Sequence, residues 1–133
     1  MKPPANAEIK DLANAIMWLD SENGIVCAIS KKGPQRTPES LQDTLNQFKQ
    51  LVGDQKIYLL LDITEISEIT REGRDFIAAE FPKYLHAMAI VSESAFGTMV
   101  ANIFFAIKSQ PYPTKMFTDE EQAKAWLKKQ QQS

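Results

Sequence analysis

The stretch from Lys56 to Phe76, KIYLLLDITEISEITREGRDF, places an apolar block, a polar connection and a helix start in one continuous run. Ile57 to Leu61 is unbroken apolar sequence bounded by charge. A strand of that composition has no wet face, so the pattern predicts a central strand of a parallel sheet, covered on both sides. Asp62 ends the block. Beyond it Ile63, Ile66 and Ile69 are apolar anchors, and Thr64, Glu65, Ser67, Glu68 and Thr70 are polar. Thr70 is the expected N-cap of the next helix, because its hydroxyl can accept from a free N–H of the first turn.

A strand buried on both faces needs neighbours in its sheet and helices above and below it. Asn23-Gly24, flanked by apolar runs, marks a hairpin because the dipeptide readily takes positive backbone angles. The expected antiparallel strands are Ala13 to Leu19 and Ile25 to Ser30, with Met17 and Trp18 on opposite faces. Residues 8–13 fit helical spacing and strand alternation alike, and both readings stay open. Thr37-Pro38 opens a helix with the apolar stripe Leu41, Leu45, Phe48 and Val52, closed by Gly53 as a left-handed cap. Strand, helix and strand in this succession imply a right-handed parallel crossover.

Past Thr70 a second helix is expected to present Phe76, Ile77, Phe81 and Leu85, kinked or divided at Pro82. Met88 to Val91 reads as a short strand, Ala95 to Lys108 as a third helix, and Thr114 to Phe117 as an edge strand. Thr118 to Glu121 reads as a capping box, opening a last helix that turns Ala123, Trp126 and Leu127 inward. The expected fold class is α/β in the order β-β-α-β-α-β-α-β-α, a mixed sheet with helices packed on it. It forms a single domain over residues 1–133, with a loose lead-in at 1–7 and a frayed tail at 130–133.

At 133 residues and 44% hydrophobic content the chain supports one core and leaves no room for a second. Its 15 basic and 17 acidic residues are spread along the chain, giving −2 overall. That balance offers no field for nucleic acid or an anionic membrane. The cluster Lys31, Lys32 and Arg36 reads as a solvated turn. Cys27, the single cysteine, excludes an internal disulfide and reads as a small core residue. No apolar run reaches the length of a membrane span, and the start lacks the apolar block of a signal peptide, so a cytoplasmic protein is expected.

The central run and the element order resemble the STAS superfamily, the domain shared by sulphate transporters and anti-sigma-factor antagonists. That family's signature is a strand ending in Asp, a hydroxyl residue two positions on, then an Asp-Ser-Ser-Gly-like helix start. It is matched here by Leu61-Asp62-Ile63-Thr64 and Ile69-Thr70-Arg71-Glu72-Gly73. The ending, from Met116-Phe117-Thr118-Asp119 through Trp126-Leu127, is similar to bacterial stand-alone STAS-like proteins of no assigned function. The resemblance implies an interaction module with a protein partner, its surface formed by Asp62, Thr64, Ser67, Thr70 and Arg71. In the anti-sigma-factor antagonists a serine at the helix start is phosphorylated, and the phosphate switches partner binding. Residue by residue that serine falls on Arg71, which cannot take a phosphate and carries the opposite charge. Thr64, Ser67 and Thr70 are the nearby hydroxyls, whose other reading is capping of the turn.

The sequence carries no recognisable catalytic pattern. His86, the single histidine, stands far in sequence from Cys27 and reads as a helix-end or core residue. The five glycines are too dispersed for a phosphate-cradling loop. Asp62, Glu65 and Glu68 are the best carboxylate group, yet their spacing matches no cation loop. No cofactor and no metal are expected, and an enzyme built on those carboxylates is the remote alternative. A nearer alternative is an apolar small molecule, since STAS-like domains resemble the lipid-transfer CRAL-TRIO fold. Its face is Phe96, Met99, Phe104 and Phe105, of which Phe105 falls off the helix's main apolar stripe; a homodimer contact there is the third use of that face.

Overall fold

The structure is a computed structural model and describes residues 1–65, 68–93, 99 and 110–132. Its strands are β1 (Lys10–Asp11), β2 (Ala15–Asp20), β3 (Ile25–Ser30), β4 (Ile57–Asp62), β5 (Leu85–Val91) and β6 (Thr114–Phe117). Its described helices are α1 (Pro38–Val52), α2 (Arg71–Glu80) and α3 (Glu120–Gln131), with a 3₁₀ turn over Phe81–Lys83. The strands form one 6-stranded sheet in chain order. β1, β2 and β3 pair antiparallel, and β3 through β6 run parallel. The fold is therefore the mixed α/β sheet that the sequence predicts, with one more strand: the ambiguous stretch at 8–13 contains β1. The expected third helix, Ala95 to Lys108, lies outside the described residues except for Met99.

The two sheet faces follow from strand alternation. Met17, Val26, Ala28, Leu59, Met88 and Ile90 line one face and bury Leu41, Leu45 and Phe48 of α1 and Ile77 of α2. Trp18, Ile25, Cys27, Leu60, Ala89 and Val91 line the other and bury Ala123 and Leu127 of α3. The lead-in, expected to be loose, lies against this second face through Met1 and Ala7. Both faces are covered, which is why β4 and β5 carry almost no polar residue before their ends.

The local signals were realised with differences that have physical causes. The hairpin turn takes four residues, 21–24, and only Gly24 has positive φ, at 68°. The Asp20 carboxylate accepts from the Asn23 backbone N–H (3.1 Å) and Nδ2 (2.8 Å), and this holds Asn23 out of the left-handed region. Thr37 caps α1 and forms a capping box with Ser40. Pro82 divides the second helix, as expected, but Leu85 leaves it: Leu85 begins β5, three residues earlier than Met88. α3 is capped by Asp119, whose carboxylate accepts from Glu121 N–H at 2.8 Å, so the anticipated Thr118 box does not form. The helix runs past the expected fraying point to Gln131, whose Nε2 donates to Asn23 O at 2.9 Å.

Every parallel strand ends at the same edge of the sheet, called here the top, and α1, α2 and α3 begin there. The bottom edge holds the hairpin turn, the starts of β4 and β5, and the ends of the three helices.

Candidate functional site

The strand-end turn is built by hydrogen bonds that its sequence supplies locally. Asp62, 5% exposed, closes β4 on the face that α3 covers. Its Oδ1 accepts from Thr64 N–H at 2.9 Å, and its Oδ2 lies 3.4 Å from the Met1 ammonium. Thr64 Oγ1 accepts from Glu93 N–H at 3.2 Å, which ties the turn to the chain leaving β5. Thr70 caps α2 as expected: its Oγ1 accepts from Gly73 N–H at 2.9 Å and donates to Arg36 O at 3.2 Å. Arg71, at the first helical position, is exposed, as are Glu72 and Arg74. Ser67 lies outside the described residues.

Arg36 overturns its sequence reading as part of a solvated turn. It is 8% exposed, and its Nη2 donates to Asn14 O at 2.5 Å. Burial pulls the guanidinium down to about 10. Its backbone forms a parallel bridge with Ile69, its N–H donating to Glu68 O (2.8 Å) and its carbonyl accepting from Thr70 N–H (3.0 Å). Asn14 Nδ2 reaches the same loop at Pro34 O, 2.7 Å away. The loops that lead into α1 and α2 are thereby locked side by side.

Gly73 explains why a glycine stands in the first turn of α2, where alanine would favour the helix. A Cβ there would lie 2.6 Å from Arg36 O. The Gly that completes the Ile69-Thr70-Arg71-Glu72-Gly73 signature is thus required by the close approach of the Arg36 backbone.

The three carboxylates of the remote enzyme reading do not converge. Asp62 is buried, Glu65 pairs with Lys32 at 3.3 Å in solvent, and Glu68 accepts from Gln35 Nε2 at 3.1 Å. Among the described residues no three His, Cys, Asp or Glu side chains form a metal-binding set. Cys27 is buried between β3 and α3, and desolvation pushes its thiol up to about 12, which suits a packing residue rather than a nucleophile. His86 is neither at a helix end nor in the core: it stands exposed on β5, its ring stacked on Tyr58 with centroids 5.0 Å apart. Of the expected apolar face, Met99 is exposed, whereas Phe96, Phe104 and Phe105 lie outside the described residues.

Arg36 and Gly73 are the residues that sequence reasoning underrated. An arginine near two lysines carries no signal of burial. The helix-disfavoured Gly73 did carry one, as a site of close backbone approach.

Known proteins share this fold. A solved structure of an uncharacterized protein from the DUF3478 family, with a SpoIIAA-like fold, from Shewanella loihica PV-4, matches with a TM-score of 0.54. The match has 19% identity and covers 96% of this chain and 98% of that one. It establishes a SpoIIAA-like, STAS-like fold and nothing about activity. No curated protein matches the chain. No described helix is long and apolar enough to cross a membrane. A family model matches residues 17–131, and the chain belongs to that family, the Domain of unknown function (DUF7793).

Proposed function

We propose that the protein is a non-enzymatic interaction module that meets a protein partner through the top edge of its sheet, around Thr64 to Arg71. The observation that carries this reading is the division of labour at that edge. The polar groups of Asp62, Thr64 and Thr70 are directed into the fold, where they fix the turn and cap α2. The side chains of Arg71 and Glu72 are exposed, and the exposed Arg74 also braces the turn by donating from Nη1 to Ile69 O at 3.1 Å. A pre-ordered, charged ledge loses little side-chain and loop freedom on binding, which favours recognition over chemistry. The engagement of Thr70 on both sides also argues against phosphorylation there, since a phosphate would break its bonds to Gly73 and Arg36.

The test is photo-crosslinking in the source cell from a reactive residue placed at Arg71, with Gln55 at the bottom edge as the paired control. The reading expects a discrete protein adduct from position 71, absent from position 55 and abolished by Arg74→Glu. Adducts of equal yield from both positions, or none from position 71, contradict it.

A further inference from the structure

The bottom edge carries a feature that the interaction reading does not use. In the β4–β5 pairing Ile57 faces Leu85 and Tyr58 faces Ala87, so His86 is an extra residue, a β-bulge between parallel strands. Bulges re-aim a side chain at the cost of a ladder position. Here the bulge turns the imidazole onto Tyr58 and into the rim of a cleft of about 300 Å³. The lining also includes Pro82, Leu85, Pro111 and Pro113, with Tyr112 between the last two prolines. Lys56 stands at the mouth, exposed, with no carboxylate partner among the described residues. The phenol oxygen of Tyr112, a lining residue, is buried and meets no hydrogen-bond partner among the described residues.

We propose that this cleft binds a small, flat carboxylate, its ring or unsaturated body lying against the three prolines and its carboxylate held by Lys56 and the imidazole N–H of His86. The volume is at the lower end of small-ligand sites, which limits the ligand to about one ring with its substituents. Proline rings lose little side-chain freedom when a ligand packs on them. A single negative charge fits better than a phosphate dianion for two reasons. Lys56 is the one lysine or arginine in the lining, and the imidazole adds one N–H donor beside it. The carbonyl ends of α1 and α2 also lie at this edge, and their partial negative charge opposes a second anionic charge.

The test uses benzoate as the probe, with His86 as its own reporter because the chain has one histidine and hence one set of imidazole resonances. Titration followed by NMR is expected to give a single saturable shift of the His86 ring and of the Leu85 and Tyr112 amides. Benzyl alcohol, of the same shape without the charge, should bind at least about tenfold more weakly, as the loss of one charge-assisted contact implies. Lys56→Gln should weaken benzoate by a similar factor, and Lys32→Gln should leave it unchanged. Three results overturn the proposal: no saturable shift up to about 50 mM benzoate, below any useful affinity; equal binding of benzyl alcohol; or tighter binding of inorganic phosphate. The first two need only the wild-type protein and stand whatever the variants do.

Discussion

The two edges of this sheet treat their polar residues in opposite ways. At the top, Asp62, Thr64 and Thr70 hold backbone groups of the turn, of α2 and of the chain after β5. At the bottom, among the described residues, Lys56 is unpaired, His86 is displaced by a bulge, and the Tyr112 phenol is buried without a partner. The contrast teaches that a recognisable motif and open chemistry need not coincide. Here Asp62, Thr64 and Thr70 of the motif mark the scaffold, and a second set of unspent polar groups stands where no motif points.

The largest break in that comparison is expected from Gly73→Ala. Its Cβ would meet the Arg36 carbonyl at 2.6 Å, and backbone cannot swing aside as a flexible side chain can. Overpacking of this kind costs about 1–3 kcal/mol, and the upper part of that range is expected in urea denaturation. An unchanged midpoint would mean that the two loops are not locked. Thr70→Ala should follow at about 1–2 kcal/mol, since it removes the cap of α2 and a bond to Arg36. Thr70→Ser, which keeps the oxygen, should recover most of the loss.

The bottom edge should respond with the opposite sign. Tyr112→Phe deletes a buried oxygen that has no partner among the described residues, so the fold is expected to gain up to about 1 kcal/mol rather than lose it. A loss of stability would show that the phenol is satisfied in solution. The smallest effect is expected at the exposed Lys32–Glu65 pair on the top edge, 3.3 Å apart. Lys32→Ala should shift stability by no more than about 0.5 kcal/mol, and less at high salt. A larger cost would place the ledge's strength in its surface charges rather than in the buried bonds beneath them.

How far the sequence was legible divides along the same lines. Periodicity and caps located α1 through Thr37 and Gly53, α2 through Thr70, and the break at Pro82, because each is a local interaction within a few residues. Leu85 was assigned to the wrong element because an apolar residue after a helix fits either period, and only its pairing with Ile57 decides it. The last helix was placed correctly, but Asp119 captured the cap from its neighbour Thr118, a choice between adjacent residues that depends on backbone geometry. Long-range facts were not legible. Arg36 is buried because the residue before β2 and the loop before α2 both reach it, 22 and 34 residues away through Asn14 and Thr70. His86 is exposed because of a one-residue slip between strands. At the candidate surface the sequence indicated which residues gather at the strand end, while the direction of each polar group came only from the structure.

The central claim is that Asp62, Thr64 and Thr70 spend their polar groups on the fold and so form the scaffold of the top edge. Native-state hydrogen exchange of the Thr64 and Gly73 amides tests it most directly, because these donate to Asp62 and Thr70. The account predicts protection close to that of the central strand, represented by Leu60. Exchange as fast as at the exposed turn residue Gln55 would contradict it and leave the ledge without its base.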